Sequence, residues 1–233
     1  MIPQLLPKVF TAFAILSVAS AHIELSWPYP LRSKFNPDSP KDLIDYDMIN
    51  PLFANGTNFP CKGYHLNTPR HPTAVWTAGQ RQHISLMGPV TTKGLGAWNH
   101  GGGSCQLSLS YDNGKSFQVI HSMQGGCTLE WKYDFILPKD VANGDVLLGW
   151  SWFNLQGEAQ MYMNCADITI TGGSGSPANF QSVYPDIFVA NVDNNCSTED
   201  IQEKQEVVFK NPGKQVVFGG NITRFSPPTP DCP

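Results

Sequence analysis

Hydrophobic and polar residues alternate in short segments along the middle of the chain, a pattern typical of strands that bury one face. Two segments show it clearly, residues 146–153 and 160–170. In the second, alternate positions place one set of side chains on a shared face, namely Gln160, Tyr162, Asn164, Ala166, Ile168 and Ile170. Other segments predict further strands at residues 82–86, 106–111, 116–122 and 131–137.

The residues between these segments favour a mostly β fold. The chain has 21 glycines and 19 prolines in 233 residues. Asp112-Asn113-Gly114 predicts a hairpin turn, because Asn and Gly accept positive φ angles. Several short strands at this spacing predict an immunoglobulin- or fibronectin-like two-sheet sandwich with long loops. One such loop, residues 28–60, is rich in proline, contains a predicted helical turn near residues 41–47, and could be pinned at its end by Cys61.

The sequence predicts four parts in the chain. Residues 1–21 carry an apolar run and end in small residues, the pattern of a secretory signal cleaved after Ala21. Residues 22–171 are the predicted sandwich domain, and residues 172–179 form a linker rich in Gly, Ser and Pro. Residues 180–233 hold too little apolar material for a strong core of their own. We expect them to form a small C-terminal appendage, leaning on the main domain or loosely ordered, with strands at residues 186–192, 206–210 and 215–218.

Charge and hydropathy exclude several partners. The formal net charge is −4, only 15% of residues are charged, and no run of Lys or Arg is present. Such a surface is a poor partner for nucleic acid or acidic membranes. No apolar run of about 20 residues follows the signal, so we expect no membrane span once the signal is removed. These features predict a secreted, extracellular, monomeric protein.

The six cysteines form an even set in a chain bound for an oxidising compartment, which favours disulfides over a soft-metal site. No C-x-x-C spacing argues for zinc. Cys105 and Cys127 bracket the predicted hairpin, and a Cys61–Cys165 bridge would tie the long loop to the strand of Tyr162. The remaining pair, Cys196 and Cys232, would close the appendage on itself.

Three N-glycosylation sequons fit the same secretory route, at Asn55, Asn195 and Asn221. The second has Cys196 as its middle residue. It is therefore a poorer glycosylation site if that thiol pairs early.

Three residues are candidates for metal chemistry. Cleavage after Ala21 would leave His22 with a free amine beside its own imidazole, and these two nitrogens can chelate one cation. The alternative is that His22 binds no metal and is simply the residue that follows the cleavage site. His100 precedes three glycines, which allow close approach, although a glycine-rich turn with an incidental histidine has the same pattern. The phenol of Tyr162 could occupy an axial metal position or be one more buried aromatic.

The other histidines have weaker claims. His65 and His71 lie in a proline-rich loop. His83 and His121 lie inside strand patterns, where a hydrogen-bonded structural histidine is the usual outcome.

Several segments together resemble the fungal lytic polysaccharide monooxygenases of auxiliary activity family 11 (AA11). They are HIELSWPYP from His22, FPCK, NHGGGSCQLSLSYD, FQVIHSMQGGC, LGWSWFN and MYMNCADITI, in the same order as in the family and extending to about residue 170. The resemblance implies a site for one copper ion formed by His22, His100 and Tyr162. It also implies oxidative cleavage of a β-1,4-linked polysaccharide, chitin above all, with an external electron donor and O2 or H2O2.

The chemistry of these residues agrees with that implication. The amine and a ring nitrogen of His22, with one nitrogen of His100, suit the tetragonal geometry of Cu²⁺ and leave positions open. The amine has a reference pKa of about 8, so copper binding should weaken as the pH falls. Two alternatives stay open. A non-catalytic copper-binding or wall-associated protein would keep both histidines, and a plain carbohydrate-binding sandwich would explain the aromatic residues but not His22 and His100 together.

Two positions depart from the AA11 pattern. The family usually has a carboxylate two residues before the tyrosine, where this chain has Gln160. It commonly has alanine two residues before the second histidine, where this chain has Trp98, with Ala97 one place away. Gln160 lies on the same strand face as Tyr162, so both are candidate catalytic residues. We expect Gln160 to orient the oxidant through a hydrogen bond.

Overall fold

The structure is a computed structural model that describes residues 22–88, 99–201, 205–220, 224–228 and 232. The predicted signal (residues 1–21), Trp98 and the sequon at Asn221 lie outside the described residues. The strands are β1 (Glu24–Trp27), β2 (Ala74–Thr77), β3 (Arg81–Met87), β4 (Gly103–Ser110), β5 (Gln118–Gln124), β6 (Lys132–Ile136), β7 (Gly144–Asn154), β8 (Met161–Thr171), β9 (Glu206–Val207), β10 (Val216–Phe218) and β11 (Phe225–Ser226). The helices are α1 (Tyr64–Asn67) and α2 (Pro177–Val183), with 3-10 turns at Lys41–Leu43, Cys61–Gly63 and Glu199–Ile201.

The predicted mostly β sandwich is confirmed. One sheet has the strand order β1-β3-β6, and the other has the order β10-β5-β4-β7-β8-β2. Neighbours from β5 to β8 run antiparallel, whereas the two edge strands β10 and β2 run parallel to their neighbours. No helix in the described part of the chain is long and apolar enough to cross a membrane.

The main core lies between the two sheets and follows from the alternation of β7 and β8. Trp150, Trp152, Tyr162, Ile168 and Ile170 all point into it, as their shared strand faces predict. Leu25, Ile84, Leu86 and Phe135 reach the same core from the smaller sheet. Burying such side chains is the main stabilising term, at about 1.5–3 kcal/mol for each large apolar residue.

The other face of the larger sheet is covered by the long loop and by the C-terminal residues. A second core joins Phe153, Met161 and Met163 of the sheet to Leu52 of the loop, and it also takes in Phe188, Ala190, Val192, Ile201, Val207 and Phe209. The C-terminal residues also supply β10, which pairs with β5. The residues after the linker therefore lean on the main domain.

The strand predicted at residues 186–192 is wrong. Only Asp186 forms a bridge, to Gln118 at the edge of β5. The backbone N–H of Phe188 then donates to the side-chain Oε1 of Gln106 at 2.8 Å, so the chain leaves the edge and inserts its apolar residues under the sheet. Burial of those residues has overridden strand pairing here.

Helix α2 begins within the predicted linker. The Ser176 hydroxyl accepts a hydrogen bond from the Asn179 backbone N–H at 3.3 Å, and Pro177 occupies the first helical turn, which are both usual signals for a helix start. Phe180 of this helix is buried against Tyr111 and Tyr184. The division of the chain into a domain, a linker and an appendage stays a prediction.

Three disulfides join the cysteines in the pairs that the sequence predicts. They are Cys61–Cys165, Cys105–Cys127 and Cys196–Cys232. The first ties the end of the long loop to β8, three residues after Tyr162. It therefore links the strand that carries the candidate site to the loop that covers its outer face.

Removal of the Cys61–Cys165 bridge should destabilise the protein more than removal of Cys196–Cys232. The two bridges span sequence separations of 104 and 36 residues. In the chain-entropy model the longer loop stabilises by about 1 kcal/mol more, within a total of about 4–5 kcal/mol. Thermal unfolding of the two double Cys→Ala variants checks this. Equal melting temperatures for the two variants, or a lower one for the variant without Cys196–Cys232, would contradict it.

Candidate metal centre

Three aromatic side chains converge at one end of the larger sheet. The ring centroids of His22 and His100 are 6.0 Å apart, His22 and Tyr162 are 6.0 Å apart, and His100 and Tyr162 are 6.1 Å apart. They come from the residues before β1, from the loop before β4 and from the start of β8. The structure thus brings together the three residues that the sequence singles out.

The position of His22 is set by the strand that follows it. Ile23 and Leu25 are buried in the main core. The Leu25 backbone N–H also donates to Asn164 Oδ1 of β8 at 2.8 Å. Two buried side chains and one buried hydrogen bond therefore hold the beginning of β1 beside the strand of Tyr162.

The loop of His100 is held by backbone contacts. His100 has φ = 49°, an uncommon value for a residue other than glycine. Its carbonyl accepts from the Gln156 N–H at 3.0 Å, and the Gly102 carbonyl accepts from Trp152 Nε1 at 3.3 Å. At Gly103 a Cβ would lie 2.1 Å from the Phe153 carbonyl oxygen, so only glycine allows the loop to reach β7.

Hydrogen bonds fix which nitrogen of His100 faces the site. Its Nδ1 lies 2.6 Å from the Gln156 carbonyl oxygen, which can only accept, so Nδ1 carries the proton and Nε2 presents a lone pair. The Tyr162 hydroxyl lies 3.2 Å from that Nε2 and donates its hydrogen to Gln160 Oε1 at 2.6 Å. Nε2 is therefore the His100 nitrogen that could act as a metal ligand, the tautomer being assigned from the contacts.

Burial keeps Tyr162 and His22 in their neutral forms. Tyr162 is only 1% exposed and its ring lies 4.4 Å from that of Trp152. Burial, and then the charge of Glu158, raises the pKa of the Tyr162 phenol, so it is not ionised at neutral pH. Burial lowers the pKa of the His22 imidazole, and repulsion from His100, when that ring is protonated, and from Lys62 lowers the pKa further. Neutral imidazoles are the form that binds metals.

The donor set limits which metal could bind here. Within the described residues, no group of three or more His, Cys, Asp or Glu side chains could hold a metal ion. The centre instead offers two imidazoles and one neutral phenol. A ligand set without carboxylates or thiolates argues against calcium, magnesium and structural zinc. To hold a transition metal tightly, the two imidazoles and the phenol need one more nitrogen ligand.

Comparison with known proteins assigns the chain to a family. AA11 family lytic polysaccharide monooxygenase A from Aspergillus fumigatus is 55% identical over 229 residues, which cover 98% of this chain and 100% of that relative. The chain belongs to the AA11 family of lytic polysaccharide monooxygenases. It is therefore an oxidoreductase whose family oxidises polysaccharides, and the resemblance noted in the sequence is confirmed.

More distant relatives agree. An AA11 family lytic polysaccharide monooxygenase from Aspergillus oryzae is 31% identical over 94% of this chain, and the chain spans 53% of that relative's length. No protein-family model matches. Among solved structures, the extended catalytic domain of LPMO9A from H. jecorina aligns over 91% of this chain and 98% of that one with a TM-score of 0.46 and 19% identity, too low to carry an argument.

Two of the remaining histidines of this AA11 chain, His65 and His121, are packed in the interior, whereas His71 is exposed. His65 is buried and lies against Gly114 at the tip of the β4–β5 hairpin, and His121 is buried and stacks on Phe135. Burial lowers the pKa of His121 to about 4, so it stays neutral in the core. His83 lies within β3. The contribution of Gln156 has no sequence signature, because it acts through a backbone carbonyl, which every residue type has.

Of the three sequons, those at Asn55 and Asn195 are exposed in the structure. The Asn55 side-chain oxygen accepts hydrogen bonds from the backbone N–H and the hydroxyl of Thr57, at 3.2 and 2.8 Å. Glycosylation at these positions stays a prediction.

A buried carboxylate lies behind the His100 loop of this AA11 chain. Glu206 of β9 is 1% exposed, and its Oε1 accepts a hydrogen bond from the Gly126 N–H at 3.3 Å. The same oxygen is 3.6 Å from the point where a Cβ on Gly102 would stand, two residues after His100. Its Oε2 has no hydrogen-bond partner among the described residues. Burial raises the pKa of Glu206 to about 7, partly opposed by the Gly126 N–H.

Replacement of Glu206 by glutamine should stabilise the protein at pH 8 and leave it unchanged at pH 4. The folded-state pKa of about 7 exceeds the ordinary value of 4.5, so the stabilisation by the neutral carboxyl is complete below about pH 4.5 and is lost as the pH rises through 7. We expect the Glu206→Gln melting temperature to exceed the parent's by on the order of 5 °C at pH 8. Exposed Glu199→Gln is the control, and parallel pH profiles for parent and Glu206→Gln would refute the assignment.

Proposed function

We propose that this chain is a secreted, copper-dependent monooxygenase that oxidatively cleaves a β-1,4-linked polysaccharide, with chitin as its substrate. The observation that carries the proposal is the convergence of His22, His100 and Tyr162, with the lone pair of His100 Nε2 directed into the space they share. Membership of the AA11 family supports the reaction class. Chitin rests on the resemblance to that family.

Copper would be held by the amine and one ring nitrogen of His22, by His100 Nε2 and, more weakly, by the Tyr162 oxygen. The amine becomes available if the signal is cleaved after Ala21. It would then be the third nitrogen ligand, in addition to the two imidazoles. Bound copper would supply redox chemistry with an external electron donor and O2 or H2O2.

The side chains around the site have distinct tasks. The Gln156 carbonyl oxygen keeps the proton of His100 on Nδ1, so Nε2 is the nitrogen that would act as a ligand. Gln160 Oε1 holds the phenolic hydrogen of Tyr162 away from His100. An amide cannot give up or take a proton near neutral pH, so Gln160 orients by hydrogen bonding and does not act as a general acid or base. Trp152 packs against the rings of His100 and Tyr162, with ring centroids 5.5 and 4.4 Å away.

Product analysis on chitin and on cellulose tests the proposal. The mature chain, loaded with copper and given a reductant, should release oxidised oligosaccharides from chitin, and the same preparation of His100→Ala should not. Copper binding without oxidised products from either polymer would favour a non-catalytic copper-binding protein on the same scaffold. Oxidised products from cellulose alone would keep the reaction and overturn the choice of chitin.

A further inference from the structure

A buried asparagine lies at the end of β7, where the loop that joins β7 to β8 begins. Asn154 is the last residue of the strand and is only 3% exposed. The loop, residues 155–160, reaches the surface at Gln156, Gly157 and Glu158, which are all exposed. A buried polar side chain therefore lies at the base of an exposed segment.

The amide of Asn154 has all its partners in that loop. Its Nδ2 donates to the Gln156 carbonyl oxygen at 2.7 Å and to the Glu158 carbonyl oxygen at 2.8 Å. Its Oδ1 accepts from the Gln160 backbone N–H at 3.2 Å. Carbonyl oxygens only accept and a backbone N–H only donates, so these partners also fix which end of the amide is the nitrogen. One buried side chain thus holds three points of the loop.

Two of these contacts lead directly to the candidate metal centre. The Gln156 oxygen that Asn154 holds is the oxygen that lies 2.6 Å from His100 Nδ1. Gln160, whose backbone Asn154 holds, accepts the phenolic hydrogen of Tyr162 on its Oε1 at 2.6 Å. The same side chain therefore supports the contact that orients His100 and the contact that orients Tyr162.

The course of the loop has other supports. The Leu155 N–H donates to the Gly102 carbonyl at 3.2 Å, and the Gln156 N–H donates to the His100 carbonyl at 3.0 Å. These backbone hydrogen bonds attach the loop to the residues around His100 without the help of Asn154. What the buried amide adds is the orientation of the groups that it bonds.

We propose that Asn154 is a positioning residue of the metal centre, which holds the Gln156 carbonyl against His100 Nδ1 and so keeps His100 in the tautomer whose Nε2 would bind copper. Through the backbone of Gln160 it also holds the acceptor of the Tyr162 hydrogen in place. Asn154 acts through these two residues and not by contact with copper. The inference rests on the proposed function, since it assigns a role at that site.

Nitrogen NMR of the metal-free mature protein at about pH 8, where an ordinary imidazole is neutral, tests the parent first. We expect His100 to be a single tautomer with its proton on Nδ1. The side-chain hydrogens of Asn154 should exchange with solvent at least about tenfold more slowly than those of Asn143, which is exposed. A His100 proton on Nε2, or equally fast exchange at the two asparagines, would overturn the inference without any variant.

Asn154→Asp and Asn154→Ala separate positioning from packing. Aspartate has nearly the size of asparagine and keeps an acceptor for the Gln160 N–H, but its carboxylate cannot donate to the two carbonyls. In both variants the ratio of the Nδ1–H to the Nε2–H tautomer of His100 should fall by about fivefold, the effect of one ordinary hydrogen bond.

Asn143→Ala is the matched control. Asn143 immediately precedes β7, at the opposite end of the strand from Asn154, and its amide donates to the Gly173 carbonyl at 3.0 Å and accepts from the Gly173 N–H at 2.7 Å. The tautomer ratio of Asn143→Ala should equal that of the parent. A parent ratio in Asn154→Asp, or an equal fall in Asn143→Ala, would refute the positioning role.

Copper loading separates this inference from the proposed function. Because the ligands are intact, both Asn154 variants should bind copper within about threefold of the parent affinity, yet release oxidised oligosaccharides about tenfold more slowly. Oxidation at the parent rate by Asn154→Ala would overturn the inference. A shifted His100 tautomer in the variants, with no oxidised product from the parent itself, would keep the positioning role and refute the monooxygenase proposal.

Discussion

One extra residue in front of His22 should weaken copper binding at least a hundredfold. The extension converts the amine into an amide, which is no longer a basic nitrogen donor, and it removes one ring of the chelate. Burial of Ile23 and Leu25 fixes the start of β1, so the chain cannot shift to offer another amine at the same place. For the mature chain we expect one copper with submicromolar affinity, about −8 kcal/mol or tighter, and the extension should cost about 3 kcal/mol of it.

Competition titration with a copper chelator measures this loss. The extended protein is its own control, because protease removal of the added residue should restore the parent affinity. The metal-free folds should have equal melting temperatures, which separates a lost ligand from a damaged fold. Equal copper affinity before and after removal would rule out the amine as a ligand.

Replacement of Gln160 by alanine should lower polysaccharide oxidation by about tenfold to a hundredfold, the loss of one or two oriented hydrogen bonds. Gln160 Oε1 accepts the hydrogen of the Tyr162 hydroxyl at 2.6 Å. Without it the phenol is free to turn its hydrogen towards His100 Nε2, 3.2 Å away, and to occupy the lone pair that would bind copper. The rate of oligosaccharide release measures the effect.

Gln160→Glu is the variant to compare with Gln160→Ala, because it keeps a hydrogen-bond acceptor at this position. A carboxylate can still accept the phenolic hydrogen, so copper affinity should stay nearly unchanged while the pH dependence of oxidation changes, because a group that titrates has been added. If both variants oxidise chitin at the parent's rate and with its pH profile, Gln160 has no role at the site.

Most strands of the sandwich could be predicted from the sequence, because they pair with strands nearby in the chain or show a long alternation of apolar and polar residues. The pattern of β7 and β8 predicts both the strands and their buried faces, since each runs for 11 residues. β1 and β2 were missed, because they are four residues long and are held by distant partners, β3 and β8. The segment at residues 186–192 has strand-like composition, but its apolar residues are used to cover the sheet.

The candidate site could be predicted only in part, because some of its contacts join residues that are distant in the sequence. His22, His100 and Tyr162 carry side-chain chemistry and stand in recognisable segments. The contact that fixes the tautomer of His100 comes from the backbone carbonyl of Gln156. It has no local sequence signature, because every residue type has a backbone carbonyl and only the fold brings this one to His100.

The most direct test of the account is the yield of oxidised oligosaccharides from chitin as copper is titrated into metal-free mature protein in the presence of a reductant. We expect no product at the start, a rise in proportion to copper, and a plateau at one copper per chain. Product formation without copper, or no oxidised product at any copper level, would contradict it.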